Sequence, residues 1–548
     1  MKSLFTLLSL FLYSTFSIAQ VTLVENVKGY TYVNTGELVT FSNLAFSKGR
    51  VLEIGHDLSN KFPGAKKING NGKTLIPGLT DGHAHFLGLG MNLLQVDVRG
   101  IKSAEQTAYK VAQYQKQNQQ LEWIVGRGWN QVLWPDKRFP TAKDLDEYVT
   151  NKPVVLSRVD GHAVWLNSKA LEIAGITKGS VSPDGGEIVK DKDGNPTGIL
   201  IDNAEQLIWQ KVPNASNQKM RLAFNKVSDH LLKLGITTVH DAGIDFQSYQ
   251  FLNQQLKDDV FKVRVYAMLA ASDEKLEQML GAGYINDSKD KLSIRSVKIY
   301  GDGALGSRGA ALLSPYDDDK ENKGLLVTKP ERLAVLFDQI FAHDFQINIH
   351  AIGDRANRIA LDQFEVAFKE YPHARHFRNR IEHAQVVAID DIPRFKQLDI
   401  LPSMQPTHAT SDKNMAKDRI GEARLKGAYA WQSFINQGSP VVSGSDFPVE
   451  LANPFYGLHA AVTRQDREDQ PEGGWLKHEA LTVEQAFKSF TLDAAYGAHQ
   501  ESVLGGLEHG KWADFIVIDQ DIFSIETKDI WRTQVLETWV AGEKLYSR

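Results

Sequence analysis

The sequence predicts an α/β fold: a (β/α)8, TIM-like barrel, a small β-sandwich composed from both chain ends, and a subdomain inserted after the first barrel strand. Three observations carry this. Short apolar runs ending in polar or glycine residues recur eight times through the middle of the chain. Helical stretches separate most of them, which is the alternation of a parallel sheet. Both ends, by contrast, read as short strands and turns.

Taken in order, the first 19 residues stand apart. Lys2 supplies a positive start, residues 4–16 are mostly apolar, and Ser17-Ile18-Ala19 ends in the small residues a signal peptidase accepts. We read a secretory signal cut near Ala19 rather than a buried helix, because the segment has no polar face. The expected location is secreted or periplasmic. No cysteine stands at the cut to carry a lipid, and the chain has none anywhere. Disulfides and thiolate ligands are thereby excluded, so any metal must be held by nitrogen and oxygen.

Residues 20–74 alternate short strands with turns at Gly29, Gly36 and Gly49, and residues 513–519 and 537–543 are again strands. One composite β-sandwich over 20–74 and 502–548 follows. The barrel is expected over 75–100 and 222–501, with strands at 75–83, 236–240, 263–269, 294–300, 345–350, 380–383, 400–404 and 441–444. Helical stretches stand at 218–234, 332–343, 355–371 and 388–397. About 150 residues separate the first two strands. That is too many for a βα loop, so 101–221 reads as an inserted subdomain covering the barrel mouth.

Composition narrows the partners. With 62 basic and 67 acidic residues the net charge is −5, so no basic footprint argues for nucleic acid. At 42% hydrophobic and 24% charged the chain is ordinary globular material. No segment after the signal reads as a membrane span. The expected partner is a small-molecule substrate, and a homodimer is left open.

The chemistry starts at Thr80-Asp81-Gly82-His83-Ala84-His85. Side chains on a strand alternate faces, so His83 and His85 point the same way. Two imidazoles on one face make half a metal site, although such a pair is also met as hydrogen-bonded structural histidines. Other strand ends supply more. Lys298 lies in the fourth strand, His350 ends the fifth, His383 ends the sixth and Asp446 follows the eighth. Strand ends of a barrel share one mouth, so these six groups should converge.

The strings at 77–85, 297–308, 349–355, 380–385, 404–406 and 443–448, together with Asp160-Gly161-His162 and Asn167-Ser168-Lys169-Ala170-Leu171, give the resemblance. The chain resembles the metal-dependent amidohydrolase superfamily, in the branch related to N-substituted formamide deformylase, over essentially the whole mature chain. The resemblance implies one or two divalent ions. His83 and His85 would hold one, with Asp446 completing its shell, and His350 and His383 a second. Lys298 would react with carbon dioxide and bridge both ions as a carbamate. A desolvated, metal-rich site depresses a lysine pKa in the needed direction; an ion pair with Asp302 or Glu382 is the alternative for Lys298. Nitrogen and carboxylate donors suit zinc first, with manganese, iron or nickel able to substitute.

The implied reaction is hydrolysis of a non-peptide, amide-type carbon–nitrogen bond by metal-activated water. Asp446 is the expected general base; a role as ligand alone is the alternative. Esterase, lactonase or deaminase chemistry at the same site, or a catalytically inactive binding or regulatory barrel, are the rival readings. His162 reaches over the mouth by resemblance, to act on substrate or oxyanion, with a structural hydrogen bond as its alternative. Asp302 and Arg308, both in the glycine-rich loop after the fourth strand, are candidate substrate contacts: Arg308 could pair with a substrate carboxylate or, internally, with Asp302. Trp129 and Trp134 could line an aromatic pocket, and His408 could face the mouth. His240 is read as structural or as support for the ligands.

Overall fold

Eight strands follow one another in both chain order and sheet order: Leu79–Ala84, Ile236–Ile244, Arg264–Ala270, Leu292–Tyr300, Gln346–Ala351, Arg380–His383, Leu401–Met404 and Val442–Ser443. This is a computed structural model, and it describes residues 20–213 and 215–548; the signal expected over 1–19 lies outside the described residues. Each neighbouring pair is parallel, so each connection must cross over through a helix or a longer segment. The sheet curls until its first and last strands touch. At Gly82 an added Cβ would stand 2.4 Å from Val442 Cγ1 and 2.7 Å from the Ser443 carbonyl. Only glycine permits that approach.

Every expected barrel strand is present, with ends shifted by a few residues. One run divides. Residues 75–83 were expected as a single strand, but Thr74–Pro77 pairs with Lys28–Tyr32 and Phe515–Ile518, outside the barrel. Only Leu79–Ala84 is a barrel strand. An unbroken apolar run carries no mark of where it changes sheets, and Gly78 makes the change.

The helix Asn217–Lys233 shows how local chemistry sets an element. Ser216 caps it, its side chain accepting from the Lys219 amide. Met220, Ala223, Phe224, Val227 and Leu231 recur every three or four residues and are buried. Phe224 meets Phe86 at 5.5 Å between ring centroids, docking the helix on the one that follows the first barrel strand. The expected border at 221/222 therefore falls inside one continuous helix.

The two chain ends build a six-stranded sheet and a four-stranded sheet. Phe46, Leu75, Phe515 and Trp539 fill the space between them, with Phe515 stacked on Trp539 at 5.1 Å. The insert carries its own six-stranded sheet, beginning at Val96–Asp97 rather than at 101. Its core is aromatic. Trp129 packs against Trp134, Phe139 and Trp165 at centroid distances of 6.2 to 6.5 Å. Both Trp129 and Trp134 are buried, and Trp129 donates its indole N–H to the Leu156 carbonyl at 2.7 Å. This corrects the expected aromatic pocket: these tryptophans are the hydrophobic core of the insert. Among the described residues no helix is long and apolar enough to cross a membrane.

Candidate metal centre at the barrel mouth

The six groups read from strand ends meet. One ligand atom each from His83, His383 and Asp446 lies within 4.8 Å of the others, and all three residues are buried. The rings of His83 and His383 are 4.8 Å apart, and those of His350 and His383 are 4.5 Å apart. His85 Nε2 stands 3.1 Å from Asp446 Oδ1. Lys298 Nζ lies 3.2 Å from His83 Nε2 and, among the described residues, forms no ion pair with Asp302 or Glu382.

Two of these strand ends bend in an unusual way. His383 and Asp446 adopt left-handed backbone angles, φ 73° and 60°. Residues other than glycine pay roughly 1–3 kcal/mol for such angles, which persist where surrounding structure over-determines them. Here the Asp446 amide donates to the His83 carbonyl at 2.7 Å, tying the eighth strand end to the first.

Two of the rings are aimed by a partner behind them. His83 Nδ1 contacts Glu382 Oε2, and His383 Nδ1 donates to Gln405 Oε1 at 2.7 Å. With Nδ1 committed, Nε2 of each ring is the nitrogen left with a lone pair. Burial holds the imidazoles of His83, His350 and His383 below their ordinary pKa, to about 4 for His83, with Lys298 adding to the effect there. Neutral imidazole is the ligating form.

Burial also pushes the Lys298 amine down to about 8, so a neutral fraction exists near physiological pH. Burial would raise Asp446, but its hydrogen bond to His85 and the nearby histidines hold it well below the usual carboxylate range. His408 Nε2 is buried without a hydrogen-bond partner among the described residues, and Asp446 Oδ1 and His350 Nε2 have the contacts at 3.1 Å to His85 and 3.4 Å to Asp302. A carboxylate oxygen and imidazole nitrogens with lone pairs, gathered in a buried pocket, are what a divalent cation would satisfy. The residue set fits such an ion.

Below the site, Glu382 binds Arg380 in the barrel interior. Arg380 Nη2 donates to Glu382 Oε2 at 3.0 Å, to the Gly82 carbonyl at 2.6 Å and to Ser403 Oγ at 2.8 Å. Burial opposes ionisation of Glu382, yet Arg380 and His83 outweigh it and keep the carboxylate charged. His240 belongs to the same layer, its Nδ1 3.0 Å from Arg380 Nη1. Glu382→Gln should destabilise the fold by about 3–5 kcal/mol, because it leaves Arg380 charged and buried without its counter-ion. Urea unfolding would check this; a midpoint like that of the parent protein would mean the pair contributes nothing. The alternation Arg380-Ile381-Glu382 puts both charges on one face of a buried strand, a pattern visible in the sequence itself.

The insert contributes from above. Asp160-Gly161-His162 joins the strands Val154–Arg158 and Ala163–Leu166, and the His162 ring reaches to 5.2 Å from that of His350. Asp202 Oδ1 holds His162 Nδ1 at 2.6 Å. Burial would lower the His162 pKa, but Asp202 outweighs it and raises it to about 9. Nothing local in the sequence links His162 to Asp202. His408 also faces the site, stacked at 5.9 Å from His383, with Nε2 3.7 Å from Asp446 Oδ2.

Two expected substrate contacts are corrected. Arg308 turns away, pairing with Asp318 through two bonds of 3.0 and 3.2 Å. Asp302 is buried, and its carboxylate accepts from the amides of Ala311, Ile352 and Gly353 at 2.8 to 2.9 Å. It staples the loop after the fourth strand to the loop after the fifth, with one oxygen 3.4 Å from His350 Nε2. A carboxylate in a glycine-rich loop is drawn to free backbone amides close by, and here they saturate it.

Comparison with known proteins adds an independent line. The amidohydrolase family model matches residues 66–546. LONG AFTER FAR-RED 3 of Arabidopsis thaliana is 32% identical over 535 residues, covering 94% of this chain and 90% of the relative. N-substituted formamide deformylase of Arthrobacter pascens is 26% identical, covering 92% of this chain and 94% of the relative. Among solved structures, an uncharacterized metal-dependent hydrolase from Pyrococcus horikoshii OT3 superposes with a TM-score of 0.75 at 28% identity, over 93% of this chain and 99% of that one. With its barrel and histidine-lined mouth, the chain belongs to the amidohydrolase family of metal-dependent hydrolases, which act on carbon–nitrogen bonds other than peptide bonds.

Proposed function

We propose that this protein is a secreted zinc hydrolase that cleaves an amide-type bond of a small molecule at a centre of one or two ions. The observation that carries the reading is the convergence of His83, His383 and Asp446 on one point, with His85, Lys298 and His350 around it. The deformylase relative supports an amide as the bond, and residues 1–19 support export.

His83, His85 and Asp446 would hold one ion, and His350 and His383 a second where two are bound. Lys298, whose buried amine is partly neutral, would add a further oxygen ligand as the carbamate that such an amine forms with carbon dioxide. When bound, such ions lower the pKa of water and polarise a carbonyl. The protein's own groups do the rest. Asp446, ionised, takes the proton from the attacking water and delivers it to the leaving nitrogen. His162, charged and held by Asp202, donates a hydrogen bond to the substrate oxygen as negative charge develops there. Glu382 and Gln405 keep the ligand rings from rotating.

Hydrolysis by the zinc-reconstituted protein tests this, against N-acyl amines, N-acyl amino acids, cyclic amides, lactones and esters. Amides should be turned over, and a chelator should abolish the activity, with zinc restoring it. Turnover of lactones or esters without any amide would replace the reading by one of its rivals.

A further inference from the structure

Two cavities open onto the same centre from different sides. The larger, about 820 Å3, lies on the side of the second to fourth strand ends and is lined by hydrophilic groups, among them Arg127, Asp202, Glu205, Asp245 and Asp273. The other, about 420 Å3, lies between the insert and the loops after the fourth, seventh and eighth strands. Val132, Leu133, Leu305, Ile352, Met415 and Leu451 form an apolar part of its wall, beside the charged groups of Arg158, Asp160, Asp412 and Glu450. His162, His350, His383 and Asp446 line both. Each volume falls within the roughly 300–1,000 Å3 of small-molecule sites.

The two lobes ask for different chemistry. Leu133 and Leu451 remain 37% and 39% exposed, one from the insert and one from the barrel. Apolar side chains gathered on a concave wall gain when an apolar group displaces the water on them. In the larger lobe, Glu205 Oε1 is buried without a hydrogen-bond partner among the described residues. A buried polar atom in that position needs a polar partner.

We propose that the substrate is a two-armed amide, with an apolar arm of alkyl or aryl character seated among Val132, Leu133, Leu305, Ile352, Met415 and Leu451, a hydrophilic arm in the larger lobe, and the scissile bond between them at Asp446. The proposal rests on the reading of the protein as an amide hydrolase. It adds that neither a wholly polar nor a wholly apolar amide is the preferred substrate.

The test uses the zinc-reconstituted mature chain and two matched series. One attaches acetyl, butyryl, hexanoyl and phenylacetyl groups to ethanolamine. The other attaches glycolic acid to methylamine, butylamine, hexylamine and benzylamine. In one of the two series kcat/KM should rise roughly fourfold per added methylene over the first few. Leu133→Asp and Leu451→Asp should each cut the ratio of the longest to the shortest member about tenfold, with circular dichroism confirming that the variants fold. Turnover of the short members with no rise in either series overturns this proposal and leaves the amide reading standing. So does a rise that neither substitution alters. No turnover of any amide overturns both.

Discussion

Lys298→Ala should lose one or both metal ions and nearly all activity. The amine is buried in the fourth strand, 3.2 Å from His83 Nε2, and no carboxylate among the described residues lies within ion-pair distance of it. A lysine so placed is a burden on stability unless it serves the site, because burial penalises its charged form. Replacing it should therefore leave the melting temperature close to that of the parent, or raise it. Function should respond in the opposite sense. Lewis-acid stabilisation is worth several kcal/mol, so its loss should lower the rate by about 10³-fold or more. If Lys298 carries the proposed carbamate, added acetate or propionate should restore part of the activity by entering the space its side chain vacates. Metal analysis, calorimetry and assays on one preparation would decide it. Full metal content and full rate would show Lys298 to be a structural residue.

Asp446→Asn should retain much of the metal while kcat falls by about 10²–10⁴, a usual general-base contribution. The substitution is well suited to its position. Asp446 has φ 60°, and asparagine tolerates left-handed angles about as well as aspartate does. The backbone, and with it the Asp446 amide bond to His83, should therefore survive. One side-chain oxygen also remains, but it can no longer accept a proton and pass it on. Parallel metal content and kcat measurements separate the two roles. Metal lost in proportion to activity would make Asp446 chiefly a ligand. Near-normal kcat with full metal would move the base elsewhere, with His240 or His162 next to be tested.

How far the site was legible from the sequence differs group by group. His83 and His85 were visible because strand alternation puts residues two apart on one face, and the barrel order brought His350, His383, Lys298 and Asp446 to the same mouth. His162 and His408 were expected there and do face it. Arg308, Asp302 and Trp129 were residue types suited to a site, but competing partners claimed them: Asp318, three backbone amides and an aromatic core. No residue type announces which of several partners will be nearest.

The sequence by itself determined the barrel, its two extra modules and the donors at the strand ends. Periodicity and chain order are local properties, and they survive without coordinates. Tertiary structure alone decided what stands behind each donor. Glu382 meets His83 across 299 positions and Asp202 meets His162 across 40. It also decided the split of the first apolar run at Gly78, the left-handed turns at His383 and Asp446, and the opening of two differently lined cavities onto one mouth. A hydrogen bond forms or fails over a few tenths of an ångström. Contacts between distant segments are set only when the sheets have twisted, closed and packed.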